Sequence, residues 1–278
     1  MTVAVLCGLI LVCRLQDKKD KEPMKLTEWA RGIKLQSRKD PAGFAYFWFY
    51  EWHLFDAVVK GEHTQGSWSW KWTVDDNGTL AQMHSPRLNM TIQSTDDGAD
   101  MVLEITNATD YPWPDIAAII PCFNPGASTK EEVQQNPIFL DEKHENTFFL
   151  GSEGLEPVQG RYPREIHFAH EFRPKIMAWE KERKDGNFVF SNKWPTSDRD
   201  AYAGLLVRES GDRTWVMGIA WESFLSAQAH NPWKCMHLSV RVGPLSKGEK
   251  KTIRGKMYLF QGSKTDCLRK FKNDFKRQ

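Results

Sequence analysis

The chain has 278 residues with 38 Lys and Arg against 36 Asp and Glu, 40% hydrophobic and 12% aromatic. That composition excludes a mainly disordered chain. A formal net charge of +2 argues against a nucleic-acid partner, because phosphate affinity needs a clustered positive field.

Thr2 to Cys13 is almost purely apolar and is followed by the charged run Asp17 to Glu22. The stretch is too short for a transmembrane span and has the length of a signal-peptide core, but lacks a basic lead and a small-residue cleavage site. Residues 1–41 are therefore read as a leader or N-terminal extension, with a signal segment over 2–16 weighed against an edge strand. The expected compartment is secreted or periplasmic, with a cytoplasmic location as the alternative. Lys25 to Gln36 reads as a short amphipathic helix around Trp29 and Ile33.

Residues 42–278 read as one strand-rich domain. Strands are expected at Ser67–Val74, Asn89–Ser94, Met101–Asn107, Ala117–Phe123, Thr147–Leu150, Gly186–Phe190, Ala203–Arg208, Thr214–Trp221, His237–Val242 and Lys251–Leu259. Met101, Leu103 and Ile105 alternate with Val102, Glu104 and Thr106, the period of a half-buried strand. Turn residues such as Asp76-Asn77-Gly78 and Asp96-Asp97-Gly98 separate the strands. Helices are expected at Lys130–Gln135 and Lys264–Phe275, where Cys267, Leu268, Phe271 and Phe275 share a face suited to packing across a sheet. Pro125–Thr147 and Gly151–Lys184 read as long irregular loops interrupted by Pro137, Pro157, Pro163 and Pro174.

The aromatic run Phe44 to His53 is either a central strand buried on both faces or a binding platform, and Trp52 and His53 near its end are candidate contacts. The five cysteines have no C-x-x-C spacing. Cys122 and Cys235 read as inert buried thiols or as one bridge. His230, Cys235 and His237 offer zinc-type donors, but their spacing matches no familiar site, so no metal and no cofactor are assigned. His230, Asn231, Trp233 and His237 equally suit hydroxyl recognition. Arg161, Arg164, His167 and His170 form a basic group read as a solvated loop face or a contact for an acidic sugar. Asn77, Asn89 and Asn107 begin N-x-T sequons, relevant only in a eukaryotic secretory pathway.

Three segments carry a resemblance. Gly61-Glu62-His63-Thr64-Gln65-Gly66 with the aromatic strand Trp68–Val74 is one, and Asn107-Ala108-Thr109-Asp110 leading to Ile120-Pro121-Cys122-Phe123-Asn124 is the second. Gly218-Ile219-Ala220-Trp221-Glu222, His230-Asn231-Pro232 and Lys247-Gly248-Glu249 make the third. Together they resemble the galactose mutarotase-like family. The resemblance implies an all-β fold, a large bent antiparallel β-sandwich with a short C-terminal helix, and a sugar or glycan as partner. It places His63 at a sugar contact, Glu222 at the general base, and Ile120 where the family carries its acid histidine. An isoleucine cannot donate a proton, so epimerase, lyase and hydrolase chemistry stay open beside a non-catalytic carbohydrate-binding module or a structural outer-surface protein.

Glu222 lies between Trp221 and Phe224. The sequence suggests a buried carboxylate with a raised pKa, or an ion pair with an arginine such as Arg208. The candidate set is thus Glu222 and His63 for proton transfer, with Trp52, His53, Trp221, His230, Asn231 and Trp233 for binding.

Overall fold

The computed structural model describes residues 22–29, 32–50, 71–85, 87–126, 136–139, 145–158, 165–182, 196–229 and 235–276. In chain order the strands begin with β1 (Lys25–Trp29), β2 (Gly32–Gln36), β3 (Phe44–Tyr50), β4 (Trp72–Val74) and β5 (Leu80–Met83). Next come β6 (Leu88–Thr95), β7 (Gly98–Thr106), β8 (Ala118–Asn124), β9 (Thr147–Leu150), β10 (Leu155–Pro157) and β11 (His167–Phe168). Helix α1 (Arg173–Glu182) precedes β12 (Ala203–Glu209), β13 (Trp215–Trp221), β14 (Phe224–Gln228), β15 (Met236–Arg241) and β16 (Lys250–Gln261), and α2 (Lys264–Asp274) follows.

Among the described residues these strands form two antiparallel sheets. One runs β1-β2-β3-β8-β15-β14-β11 and the other β10-β9-β12-β13-β16-β7-β6-β5-β4. Their facing sides make one core. The first sheet contributes Leu35, Phe47, Phe123 and Leu238, and the second Met90, Leu103, Ile219 and Met257. Each such side chain, fully withdrawn from water, contributes about 1.5–3 kcal/mol of transfer free energy. The all-β antiparallel sandwich with a C-terminal helix is therefore the observed architecture.

The alternation in β7 holds, with Met101, Leu103 and Ile105 buried and Val102 exposed. Strands β12 and β13 are covered on both faces. Leu206, Met217 and Ile219 enter the main core, while Leu205, Val207, Val216 and Ala220 meet Cys267 and Phe271 of α2. That helix starts with a reciprocal cap, in which Ser263 accepts from the Asp266 backbone N–H and Asp266 accepts from the Ser263 backbone N–H, satisfying donors that a helix start leaves open. Glu209 takes the next one, from the Lys264 backbone N–H at 2.8 Å.

Two expectations are corrected. Lys25–Gln36 is not a helix: Leu26 pairs with Leu35 and Glu28 with Ile33 across β1 and β2, which join the first sheet through β3. Pairing in a sheet overrides the coincidental four-residue spacing of Trp29 and Ile33. Gly151–Lys184 is not one irregular loop, since it holds β10, β11 and α1. Pro174 occupies the first turn of α1, where its missing N–H breaks no helical hydrogen bond. Strands β5 and β14 are additions the sequence reading lacked. The aromatic run forms β3, with Phe44 to Phe49 all buried, as in its central-strand reading. The expected elements at Lys130–Gln135 and Gly186–Phe190, and the stretch Thr2–Cys13, lie outside the described residues.

Candidate functional site

Glu222 and Ser223 form the corner where the chain leaves the second sheet at Trp221 and enters the first at Phe224. The corner is pinned on both sides. The Glu222 N–H donates to the Arg254 carbonyl at 3.0 Å, and the Arg254 N–H returns a bond to Glu222 Oε1 at 2.6 Å. Ser223 Oγ donates to the Arg241 carbonyl at 2.9 Å, and the Arg241 N–H donates to the Ser223 carbonyl at 3.2 Å.

This places Glu222 in the wall of a groove of about 810 Å³, which Tyr202, His170, Arg241, Lys251 and Arg254 also line. Contrary to the buried carboxylate expected from the sequence, Glu222 is exposed. A corner residue between two sheets has no covering layer. Arg208 is not its partner: Arg208 is fully buried and its Nη2 donates to the Phe139 carbonyl at 3.4 Å. One oxygen of Glu222 is thus oriented by the backbone, and among the described residues the other has no side-chain partner.

Tyr202 is 50% exposed, and among the described residues the one other large apolar side chain so open to solvent is Val102. Its ring stacks on His170, with centroids 4.5 Å apart and planes 14° from parallel. His170 Nδ1 lies 3.0 Å from Asp200 Oδ2, and Arg173 Nη1 is 2.8 Å from the other oxygen of the same carboxylate. The stack is therefore held from below by a braced Asp200.

The basic side of the groove is structured too. Arg241 Nη1 donates to Asp115 Oδ1 at 2.9 Å and to the Gly243 carbonyl at 2.7 Å, and its guanidinium lies 4.1 Å from the Phe172 ring centre. Lys251 Nζ donates to the Gly243 carbonyl at 3.2 Å. Partial burial, and then the neighbouring Arg241 charge, lower the Lys251 pKa below its ordinary value, while Asp115, Glu249 and Glu222 act in the opposite sense. An oriented carboxylate and a lysine of reduced basicity on one wall can accept and donate protons.

Of the sequence-predicted contacts, Trp221 lines the groove beside Glu222 in the chain, with nearly all of its surface withdrawn from solvent. It is 1% exposed, belongs to the inter-sheet core, and faces Gly255 across β13 and β16. Trp52, His53, His63, His230, Asn231 and Trp233 lie outside the described residues, as do Arg161 and Arg164. His167, grouped with His170 as a basic loop face, is instead fully buried. Tyr202, Arg241, Lys251 and Arg254 were missed. Their places in the groove depend on contacts between distant elements, which the sequence does not display.

The other side of the first sheet, facing away from the core, gathers Phe44, Tyr46 and Trp48 with Cys122 and Cys235. Ile120 is 5% exposed and lies two residues from Cys122 on β8. Cys122 and Cys235 are thiols, not a bridge.

No family model matches the chain, and no curated protein matches it. Among solved structures it is similar to a galactose mutarotase-like protein from Lactobacillus casei at 13% identity and TM-score 0.37, covering 85% of this chain and 99% of that one. It is also similar to a protein described as an aldose 1-epimerase from Escherichia coli K12 at 8% identity and TM-score 0.39, covering 87% and 100%. A polysaccharide lyase matches at 12% identity and TM-score 0.34 over 89% of this chain and 34% of its own length. The fold class stated above rests on this chain's own strand order and register. No helix among the described residues is long and apolar enough to cross a membrane.

Proposed function

We propose that the protein binds a saccharide in the groove at the corner between β13 and β14 and acts on it by proton transfer through Glu222. The observation that carries this reading is that the exposed Tyr202 ring and the oriented Glu222 carboxylate line the same groove. A pyranose presents an apolar C–H face and a rim of hydroxyls. An aromatic platform flanked by fixed polar groups suits both, as ligand sites combine apolar lining with a few placed polar contacts. Glu222 accepts a hydroxyl proton, and Lys251, whose basicity is reduced, is the paired acid. Arg241, Lys251 and Arg254 favour a saccharide bearing a carboxylate. His63, placed at a sugar contact by the sequence resemblance, is proposed as a further polar contact, to be tested by His63→Ala.

The rival reading is binding without turnover, which the isoleucine at position 120 favours. Glu222→Gln separates the two. It keeps the shape and the hydrogen bond from Arg254 but cannot take a proton, so turnover of a saccharide panel falls while binding persists. A wild-type protein that binds a saccharide and transforms none of the panel establishes the binding module instead.

A further inference from the structure

Cys122, Cys235 and His237 are 0%, 4% and 8% exposed, and the Sγ atoms and a ring nitrogen that they present all lie within 4.8 Å of one another. The strand register causes this. Cys122 and His237 are direct cross-strand partners in the pairing of β8 with β15, and such partners project to the same face. Cys235 lies immediately before β15.

We propose that these three side chains bind a thiophilic divalent cation of the zinc type, a site independent of the saccharide groove. Zinc takes thiolate sulfur at about 2.3 Å and imidazole nitrogen at about 2.0 Å, so tetrahedral ligand atoms sit roughly 3.3–3.8 Å apart. The trio needs an inward adjustment of about an ångström, within the range of small side-chain rotations. Two thiolates and a neutral imidazole neutralise the cation, as burial requires. Three ligands leave a fourth position for water or another oxygen or nitrogen donor.

A second observation concerns the surroundings. Asn124 Oδ1 accepts from the Gly126 N–H at 2.6 Å, which fixes the amide so that Nδ2 donates to Cys235 Sγ at 2.9 Å. A donor aimed at sulfur stabilises the thiolate form that a metal needs and orients the ligand. Trp48, the cross-strand partner of Cys122 in β3, adds a buried indole N–H with no partner among the described residues. The cluster is distinct from the groove. His237 and Arg241 are four residues apart along β15, about 13 Å at strand rise.

The test uses the full reduced chain, stripped with chelator and titrated with Co²⁺ and then Zn²⁺. The expected result is about one equivalent of metal per chain, with a thiolate-to-cobalt charge-transfer band and tetrahedral visible bands that zinc displaces. Cys122→Ser and Cys235→Ser each abolish or strongly reduce the band, Cys267→Ser leaves it intact, and Asn124→Ala weakens affinity roughly 10- to 100-fold. Two results overturn the proposal: a folded wild-type chain that gives no cobalt–thiolate band, or a band that survives in the Cys122→Ser/Cys235→Ser double variant. Because the first readout is on the wild type, a variant that fails to fold does not shield the proposal. Saccharide binding is measured separately, so loss of either site is told apart from loss of the other.

Discussion

The imidazole of His167 lies flat on the ring of Phe149, with centroids 4.0 Å apart and planes inclined by 20°. This contact joins β11 of one sheet to β9 of the other. With Nδ1 3.0 Å from the Arg199 carbonyl, an oxygen that can only accept, Nδ1 carries the proton. Nε2 is buried with no partner among the described residues. A second proton there would place an unsolvated charge in the core.

Burial therefore lowers the His167 pKa to about 4 from 6.5. The unfolded chain takes up a proton in a range where the folded chain does not, so stability is complete above pH 6.5 and is lost as pH falls from 6.5 towards 4. The loss approaches about 3 kcal/mol. Urea unfolding midpoints measured across this range should show the slope. His167→Asn, which can still donate to Arg199 but does not titrate, should flatten it while lowering stability at neutral pH.

Gly255 sits opposite Trp221, and a Cβ at this position would lie 2.4 Å from the indole ring. The indole is fixed between the sheets and cannot withdraw. Gly255→Ala should destabilise the fold by about 1–3 kcal/mol, the usual cost of overpacking, and should disturb the Glu222 corner that follows Trp221. Denaturation with tryptophan fluorescence measures the first effect, and saccharide affinity the second.

Lys256 is 8% exposed and lies 3.4 Å from Asp97, 3.5 Å from Asp100 and 3.2 Å from Asp274. Burial alone would lower its pKa, but the three carboxylates outweigh burial and raise it. Burial likewise opposes ionisation of Asp97, and the hydrogen bond from Lys270 and the charge of Lys256 overcome it and hold its pKa down. Because Lys270 and Asp274 belong to α2, this network fastens the helix to β16. Lys256→Met should cost roughly 3 kcal/mol, since removing one partner leaves the other charge uncompensated. Hydrogen exchange should show α2 opening before the sheets. In the wild type the Asp97 contribution is present above pH 3.8 and disappears as pH falls through its lowered folded value.

The legible parts of the sequence were those in which local pattern and final environment agree. The helix at the C-terminus announces itself through Cys267 and Phe271 one turn apart, both buried as the pattern implies. Thr147–Leu150 is a strand with the expected bounds. The hairpin of β1 and β2 was misread because Trp29 and Ile33 fit a helical face, whereas the deciding partner of Leu26 is Leu35 across the sheet. At the groove, Glu222 was visible as a carboxylate ending an apolar strand. Its exposure depends on the change of sheet at that corner, and Tyr202, Arg241 and Lys251 come from three other places in the chain. The cysteines show the same limit, since only the pairing of β8 with β15 makes neighbours of Cys122 and His237.

Tyr202→Ala gives the most direct test of the saccharide groove, because the ring is already half exposed and its removal leaves the core untouched. Calorimetric titration of neutral and acidic saccharides should show binding by the wild type and at least about tenfold weaker binding by the variant, a change of roughly 1.4 kcal/mol. A wild type that binds no saccharide, or a variant that binds as tightly as the wild type, would contradict the account.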